Sequence, residues 1–301
     1  MRRWLNILFW TLLLAGGVVL CAVRWQAWFG TPPEPKWTGD TIHYTMPCPL
    51  HPLTPSSIHP LTILVLGDIH NHLTRADYDT LAARVPDVDV IAQTGDWLDR
   101  GQEYYYQLLL REWTASGLYG KPVIACPGNH EYSKGLPKTL SPVWQEAFGE
   151  ETNYYIDFPT MRFIVIDTNP LVRLVNITRT LTWLRQAMYT AEDRYIVVMM
   201  HHPVLSPAKG RFNPLIYAAF RHALGEADLV LAGHDHSYMR HTPFVVLNTA
   251  GKPKPQLLGF PAEVTNTVPV YGILTVQENL RFTVHRLDDG TQIDSLYVTH
   301  D

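Results

Sequence analysis

The sequence predicts an α/β fold in which strands and helices alternate, and three features carry that reading. Short apolar runs recur from Thr62 to Ala232, most of them separated by helical patterns. The tail from Val270 to Val298 reads as consecutive antiparallel strands, with Asp288-Asp289-Gly290 as a hairpin turn. A composition of 46% hydrophobic and 17% charged residues over 301 supplies the apolar mass for a sizeable core. The strand-rich tail is expected to form a second sheet packed on the first.

Trp4 to Val23 is almost wholly apolar and is preceded by Arg2 and Arg3. About 20 such residues are enough to span a bilayer as a helix. A cleaved signal peptide is the competing reading, but no small-x-small cleavage site follows. One amino-terminal membrane anchor over residues 1–30 is therefore expected. The leading arginines place the amino terminus in the cytoplasm and the rest of the chain on the outer side of the cytoplasmic membrane. Residues 31–60 hold eight prolines, from Pro32 to Pro60, and read as an extended linker. Its middle, Thr41 to Thr45, could add an edge strand.

The main domain is expected over residues 61–301. Its strands are read at Thr62–Leu66, Val88–Gln93, Pro122–Cys126, Asn153–Phe158, Arg162–Thr168, Tyr195–Met200 and Asp228–Ala232. Its helices are read at Thr74–Val85, Glu103–Trp113, Pro142–Phe148, Leu181–Met188 and Pro214–Leu224. Cys21, Cys48 and Cys126 show no zinc-type spacing. A Cys48–Cys126 disulfide has no supporting signal, and unpaired thiols are expected. The net charge of -4 leaves no basic footprint, so nucleic acid is not an expected partner.

Five strand ends carry the residues of interest. They are Asp68 and His70, Asp96 with Asp99 and Arg100, Asn129 and His130, His201 and His202, and His234 and His236. Any one of these turns has a bland explanation as a hydrogen-bonded turn or a satisfied core histidine. Taken together they do not, because open α/β sheets collect ligands at the carboxyl ends of their strands. Imidazole and carboxylate without thiolate suit iron, manganese or zinc. Two such ions about 3.5–4 Å apart can clamp a phosphoryl group and generate a hydroxide nucleophile near neutral pH. A shared carboxylate would hold that pair best. Asp96 is the natural bridge, since ligand types lie before and after it.

The motifs G-D-I-H, G-D-W-L-D-R-G, G-N-H-E, H-H-P and G-H-D-H, in that order, resemble the calcineurin-like metallophosphoesterase superfamily. The resemblance runs from about Leu61 to Arg240. It implies a two-sheet β-sandwich flanked by helices and two transition-metal ions (manganese, iron or zinc). By motif, one metal would be held by Asp68, His70, Asp96 and His236, the other by Asp96, Asn129, His201 and His234. It further implies His130 as the general acid, Asp99 as the carboxylate orienting it, and Arg100 as a grip on a phosphate oxygen. His202 and Glu131 are expected to support the site from behind. Asn71 stands where many relatives have glycine, beside the first metal. Asp99 stands where purple acid phosphatases carry a metal-binding tyrosine, which implies an ordinary binuclear site. Gly233-His234-Asp235-His236-Ser237-Tyr238 and Asn153-Tyr154-Tyr155 nevertheless look like that branch.

The reading is thus a membrane-anchored hydrolase of phosphate mono- or diesters acting on a small-molecule substrate. A cyclic-nucleotide or phospholipid-headgroup diesterase stays open as an alternative. So does a metal-binding or interaction module that has lost catalysis.

Overall fold

The computed structural model describes residues 60–133, 138–206, 214–254 and 262–300, with the side chains of 214–217 excepted. The expected anchor, linker and edge strand lie outside them, as do Cys21 and Cys48. Among the described residues no helix is long and apolar enough to cross a membrane. Cys126 is a free, buried thiol.

The first half of the described chain comprises β1 (Leu61–Leu66), α1 (Arg75–Arg84), β2 (Val90–Gln93), α2 (Glu103–Trp113), β3 (Val123–Ala125) and α3 (Pro142–Phe148). Next come β4 (Tyr154–Asp157), β5 (Met161–Ile166), α4 (Ile177–Tyr189), β6 (Tyr195–Met200), α5 (Pro214–Leu224) and β7 (Leu229–Ala232). Six strands complete it: β8 (Tyr238–His241), β9 (Phe244–Val246), β10 (Val264–Asn266), β11 (Val270–Val276), β12 (Leu280–Arg286) and β13 (Gln292–Val298).

These strands form two sheets. One has the order β13-β12-β11-β1-β2-β3, the other β10-β8-β9-β7-β6-β5-β4. The tail therefore does not make the second sheet. It extends the first one, because β11 pairs antiparallel with the free edge of β1, with Leu64 opposite Ile273. The second sheet comes from the middle of the chain. Strands buried on both faces read as unbroken apolar runs, and such runs do not say which of them share a sheet.

The alternation of β1 shows the layering. Ile63 and Val65 face the inner core, with Val197 and Met199 of β6 and Phe282 of β12 in the same cluster. Leu64 and Leu66 face outwards, in a cluster with Tyr78 and Leu81 of α1 and Leu109 and Trp113 of α2. On the second sheet, Val198 and Met200 share their cluster with Leu184 of α4 and Phe220 of α5. Two sheets with helices on their outer faces are the sandwich expected above.

Two expectations on element bounds change. Helix α4 begins at Ile177, four residues before the predicted start, because packing outweighs the weak helix propensity of Ile177, Thr178 and Thr180. Strands β8, β9 and β10, of three or four residues each, add to the strands read from the sequence.

Arg162 ties β4, β5 and α4 together. Its Nε and Nη2 donate to the Asp157 carboxylate at 2.6 and 2.7 Å, and its Nη1 donates to the Ala187 carbonyl at 2.7 Å. The guanidinium also lies 4.0 Å from the Tyr155 ring centroid. Arg162→Ala should cost about 2 kcal/mol in a denaturant melt, below the range for fully buried pairs because Asp157 remains half-exposed. The Arg162 guanidinium holds the Asp157 carboxyl below its usual range. A depressed carboxyl stabilises the fold above its unfolded pKa, and that gain is lost as pH falls through the folded value. The difference in stability between wild type and Asp157→Asn should accordingly be constant above about pH 5 and vanish in stronger acid.

Candidate metal centre

The chain reaches the site by turning sharply at the strand ends. Asp68, His70, Asp96, His234 and His236 all adopt positive φ, between 51° and 73°. Left-handed backbone disfavours most side chains, and Asp, Asn and His are among those that tolerate it. Asn71 shares this conformation at φ 57°, which is why glycine also suits that position. Close approach constrains the glycines. A Cβ on Gly128 would lie 2.2 Å from Asp96 Oδ1, and one on Gly95 2.6 Å from His201 Nδ1.

Main-chain bonds hold the turns against each other. The amides of Asp68, His70 and Asn71 donate to the carbonyls of Gly95, Asp96 and Trp97 at 3.1, 3.0 and 3.0 Å. Glu131 links the second turn to the third. Its fully buried carboxylate accepts from the amides of Asp96, Leu98 and Gly128 at 2.9, 3.0 and 2.7 Å. Burial and the nearby Asp96 push the Glu131 carboxyl up to about 7. Asn71 accepts from the Asp99 amide and donates to the Tyr105 carbonyl, both at 2.8 Å, so it locks the turn after Asp96.

All seven predicted ligand residues converge. Asp68, His70, Asp96 and His236 place ligand atoms within 4.8 Å of one another. His70 Nε2 is 3.1 Å from His236 Nε2 and 3.7 Å from Asp96 Oδ2. On the other side, His201 Nε2 lies 3.3 Å from Asp96 Oδ2, 3.2 Å from Asn129 Oδ1 and 3.2 Å from His234 Nδ1. Asp96 is the residue common to both groups. His202 also comes within reach of His201 and His234. Its Nδ1 is 2.8 Å from Thr168 Oγ1, at the end of β5.

The donor set fits cations. Asp68 is fully buried, and neither of its carboxylate oxygens has a hydrogen-bond partner among the described residues. Burial pushes its carboxyl well up, against the opposing pull of His201 and Lys254. Burial lowers His70 to about 3 and His236 to about 4, so both rings are neutral with a lone pair to offer. The Nδ1 of His236 faces the Lys252 carbonyl at 2.9 Å and that of His201 the Thr94 carbonyl at 3.0 Å. Each Nε2 is thereby aimed into the cluster, as metal-binding histidines are oriented elsewhere. Burial would lower His201 too, but the Asp96 carboxylate beside it more than compensates and raises the ring to about 9. Burial likewise opposes ionisation of Asp96, yet the imidazoles around it hold its carboxyl well below the usual range. Two buried carboxylates and four imidazoles converging on one point are a donor set that transition-metal cations take.

His130 stands at the mouth of the cluster. Its Nδ1 lies 2.5 Å from the main-chain carbonyl of Asp99, whereas the Asp99 carboxylate is 4.0 Å away. The ring is thus oriented by the backbone of Asp99 rather than by its side chain. Its amide donates to Asp96 Oδ1 at 2.8 Å, and its Nε2 lies 4.0 Å from Asp96 Oδ2. Arg100 does not line the cleft. Its guanidinium lies 6.0 Å from the Tyr105 ring centroid. The cations that line the cleft, about 390 Å³ in volume, are Lys252 and Lys254. Lys254 Nζ donates to the His234 carbonyl at 3.0 Å. Sequence reasoning missed both lysines. They lie on the loop after β9, whose three residues hide the strand end that would have drawn attention to them.

Comparison with solved structures finds the same fold in several proteins. A purple acid phosphatase from yellow lupin seeds superposes with a TM-score of 0.62 at 13% identity, over 80% of this chain and 54% of its own. This chain thus spans about half the length of the lupin protein. GAP50, the anchor in the inner membrane complex of Plasmodium, gives 0.60 at 15% identity, over 81% of this chain and 90% of its own. A dimetal phosphatase from Danio rerio gives 0.54 at 14% identity, over 81% of this chain and 100% of its own. At these identities the likeness concerns the fold. No curated protein matches the sequence. The family is shown by a model of the calcineurin-like phosphoesterases that matches residues 61–238: this chain belongs to that family. Membership of that family supports a metal-dependent phosphoester hydrolase.

Proposed function

We propose that the chain hydrolyses phosphate mono- or diesters at a binuclear centre, with the domain held at the outer face of a membrane by its amino-terminal segment. The observation that carries the reading is the buried, donor-less carboxylate of Asp68 beside the neutral imidazoles of His70 and His236. Asp68, His70, Asp96 and His236 would hold one ion, and Asp96, Asn129, His201 and His234 the other. Manganese, iron and zinc suit this set. When bound, the pair would neutralise phosphoryl oxygens and activate the attacking water near neutral pH.

The chain's own groups supply the rest. The Asp99 carbonyl accepts from His130 Nδ1, which leaves Nε2 as the nitrogen able to exchange a proton with a group in the cleft. From there His130 can protonate the leaving oxygen as bond cleavage proceeds. Lys252 and Lys254 add positive charge to the wall of the cleft, which favours an anionic substrate.

The test is a panel of nitrophenyl phosphate mono- and diesters with manganese, zinc or iron supplied in turn. Hydrolysis with at least one metal and none after chelation is expected; inertness towards every ester would remove the proposal. For the anchor, amino-terminal sequencing of the membrane fraction should return a start before Trp4. A mature start beyond Val23 would show cleavage instead.

A further inference from the structure

The cleft of the metal centre adjoins a second recess. That recess, about 430 Å³ in volume, shares Asn129 and His234 with the cleft and is lined further by Tyr132, Lys138, Arg173 and His202. A third recess, of about 530 Å³, has Tyr132, Lys138 and Arg173 in common with the second. It adds the polar Thr139, Gln145 and Asn176 beside Leu140, Pro170 and Val175. Among the described residues, none that lines the second or third recess is acidic. Lys138 and Arg173 are the cations of both, in a chain whose net charge is -4. Next to the metal centre there is thus a wall with positive charge and no carboxylate to repel an anion.

The wall is built rather than incidental. Arg173 ends the short turn Leu171–Arg173. Its Nε donates to the Asn169 carbonyl at 3.0 Å and its Nη1 to the Lys138 carbonyl at 3.2 Å. Two such bonds fix the plane of a guanidinium that has five N–H groups to give. The same guanidinium lies 5.4 Å from the Tyr132 ring centroid. Leu174, which follows, has φ 62°, a left-handed backbone that a bulky residue adopts only when its surroundings enforce it.

An acid stands behind this wall, but its oxygens are engaged. Asp167 is 2% exposed. It accepts from the Tyr132 hydroxyl and from the Asn169 amide and Nδ2, the last two at 2.9 and 3.0 Å. Asp167 therefore holds Tyr132 and Asn169 in place and does not line the recess.

Building on the phosphoesterase reading, we propose that the substrate carries a second oxyanion group. While its phosphoryl group sits at the metal centre, the second group binds Arg173 and Lys138 in the adjoining recess. The planar fork of Arg173 suits a phosphate or a carboxylate, and Lys138 adds a point charge. The substrate class is a small molecule with two separated anions, either a bisphosphate or a phosphorylated carboxylic acid. Lys252 and Lys254 line the metal cleft itself and serve the first anion.

Phosphonates, which resist hydrolysis, test this by calorimetry on the metal-loaded full chain. Propylphosphonate presents one anion. The α,ω-bisphosphonates of propane, butane and hexane present two at increasing separation. Phosphonobutanoate and its longer homologues pair a phosphonate with a carboxylate. At the separation that matches the recess, the second anion should tighten binding about tenfold, as two exposed charge contacts together allow. That gain should shrink in high salt. Replacing Arg173 and Lys138 together by Gln should bring the ratio of dissociation constants back to about one. Lys138→Gln alone, at an exposed position, should remove part of the gain, and Arg173→Lys should keep more of it than Arg173→Gln. A larger gain for the bisphosphonates identifies a second phosphoryl group, and a larger gain for the phosphonocarboxylates a carboxylate. No gain at any separation, or a gain untouched by the double substitution, would overturn the proposal. The nitrophenyl ester panel stands apart. Hydrolysis without a second-anion gain sinks the subsite and keeps the phosphoesterase, while a gain without hydrolysis does the reverse.

Discussion

Replacing Asp96 by Asn should empty both metal positions together. Asp96 Oδ2 is 3.3 Å from His201 Nε2 and 3.7 Å from His70 Nε2, so one oxygen serves both groups. The amide keeps the shape. It also keeps an acceptor for the His130 amide, which now donates to Asp96 Oδ1 at 2.8 Å. What it loses is the negative charge, in a position that is 1% exposed and where water cannot replace it. Disturbing a partner outside the ligand set typically costs 10–100-fold in metal affinity. Loss of the shared charge should exceed that range, by an estimate of roughly 100-fold or more at each position. Metal analysis after equilibrium dialysis is the measurement. Two ions retained at wild-type affinity would show that the bridge lies elsewhere.

His130→Ala should leave both ions in place and slow turnover. The side chain belongs to neither proposed ligand set, although it comes within 4.8 Å of His70 and Asp99, and it lies at the rim with 32% of its surface exposed. A positioned general acid contributes about 10²–10⁴-fold in rate. The loss should fall mainly on alkyl esters, whose alkoxide needs a proton, and much less on nitrophenyl esters, whose phenolate leaves as an anion. Asp99→Asn should do little beside it, because the carbonyl that holds His130 Nδ1 belongs to the main chain and survives the substitution. Turnover of one ester of each kind by the three proteins, with metal content checked, decides the matter. Equal loss on both esters would take His130 out of the general-acid role.

The convergence of residues from five strand ends was legible in the sequence because its cause is local. A buried strand must end where its apolar run ends, and Asp, Asn or His placed just beyond tolerates the left-handed turn that follows. The order of strands in the sheets was not legible. Pairing of β11 with β1 joins Leu61 to Val276 across more than two hundred residues, and apolar periodicity carries no record of such a partner. Arg100 illustrates a second limit. Motif spacing puts it beside the site, but the direction of its side chain depends on neighbours such as Tyr105 that lie outside the motif. Lys252 and Lys254 illustrate a third, since a loop is noticed only when the short strand before it is.

The ligand residues divide by sheet. Asp68, His70, Asp96 and Asn129 follow strands of the six-stranded sheet, and His201, His234 and His236 follow strands of the seven-stranded one. An occupied centre is therefore a rivet through the sandwich, fastening at the strand ends two layers that elsewhere meet through the hydrocarbon core and a few polar ties such as that of Arg240 to Asp294. Ions that bind the folded state alone raise its stability by mass action. Here that gain acts on the seam between the layers, so stripping the metals should let amides of β2 and β7 exchange with solvent sooner than those of β12, which lies away from the rivet. The same atoms that prepare the site for catalysis would then set the temperature at which the two layers part.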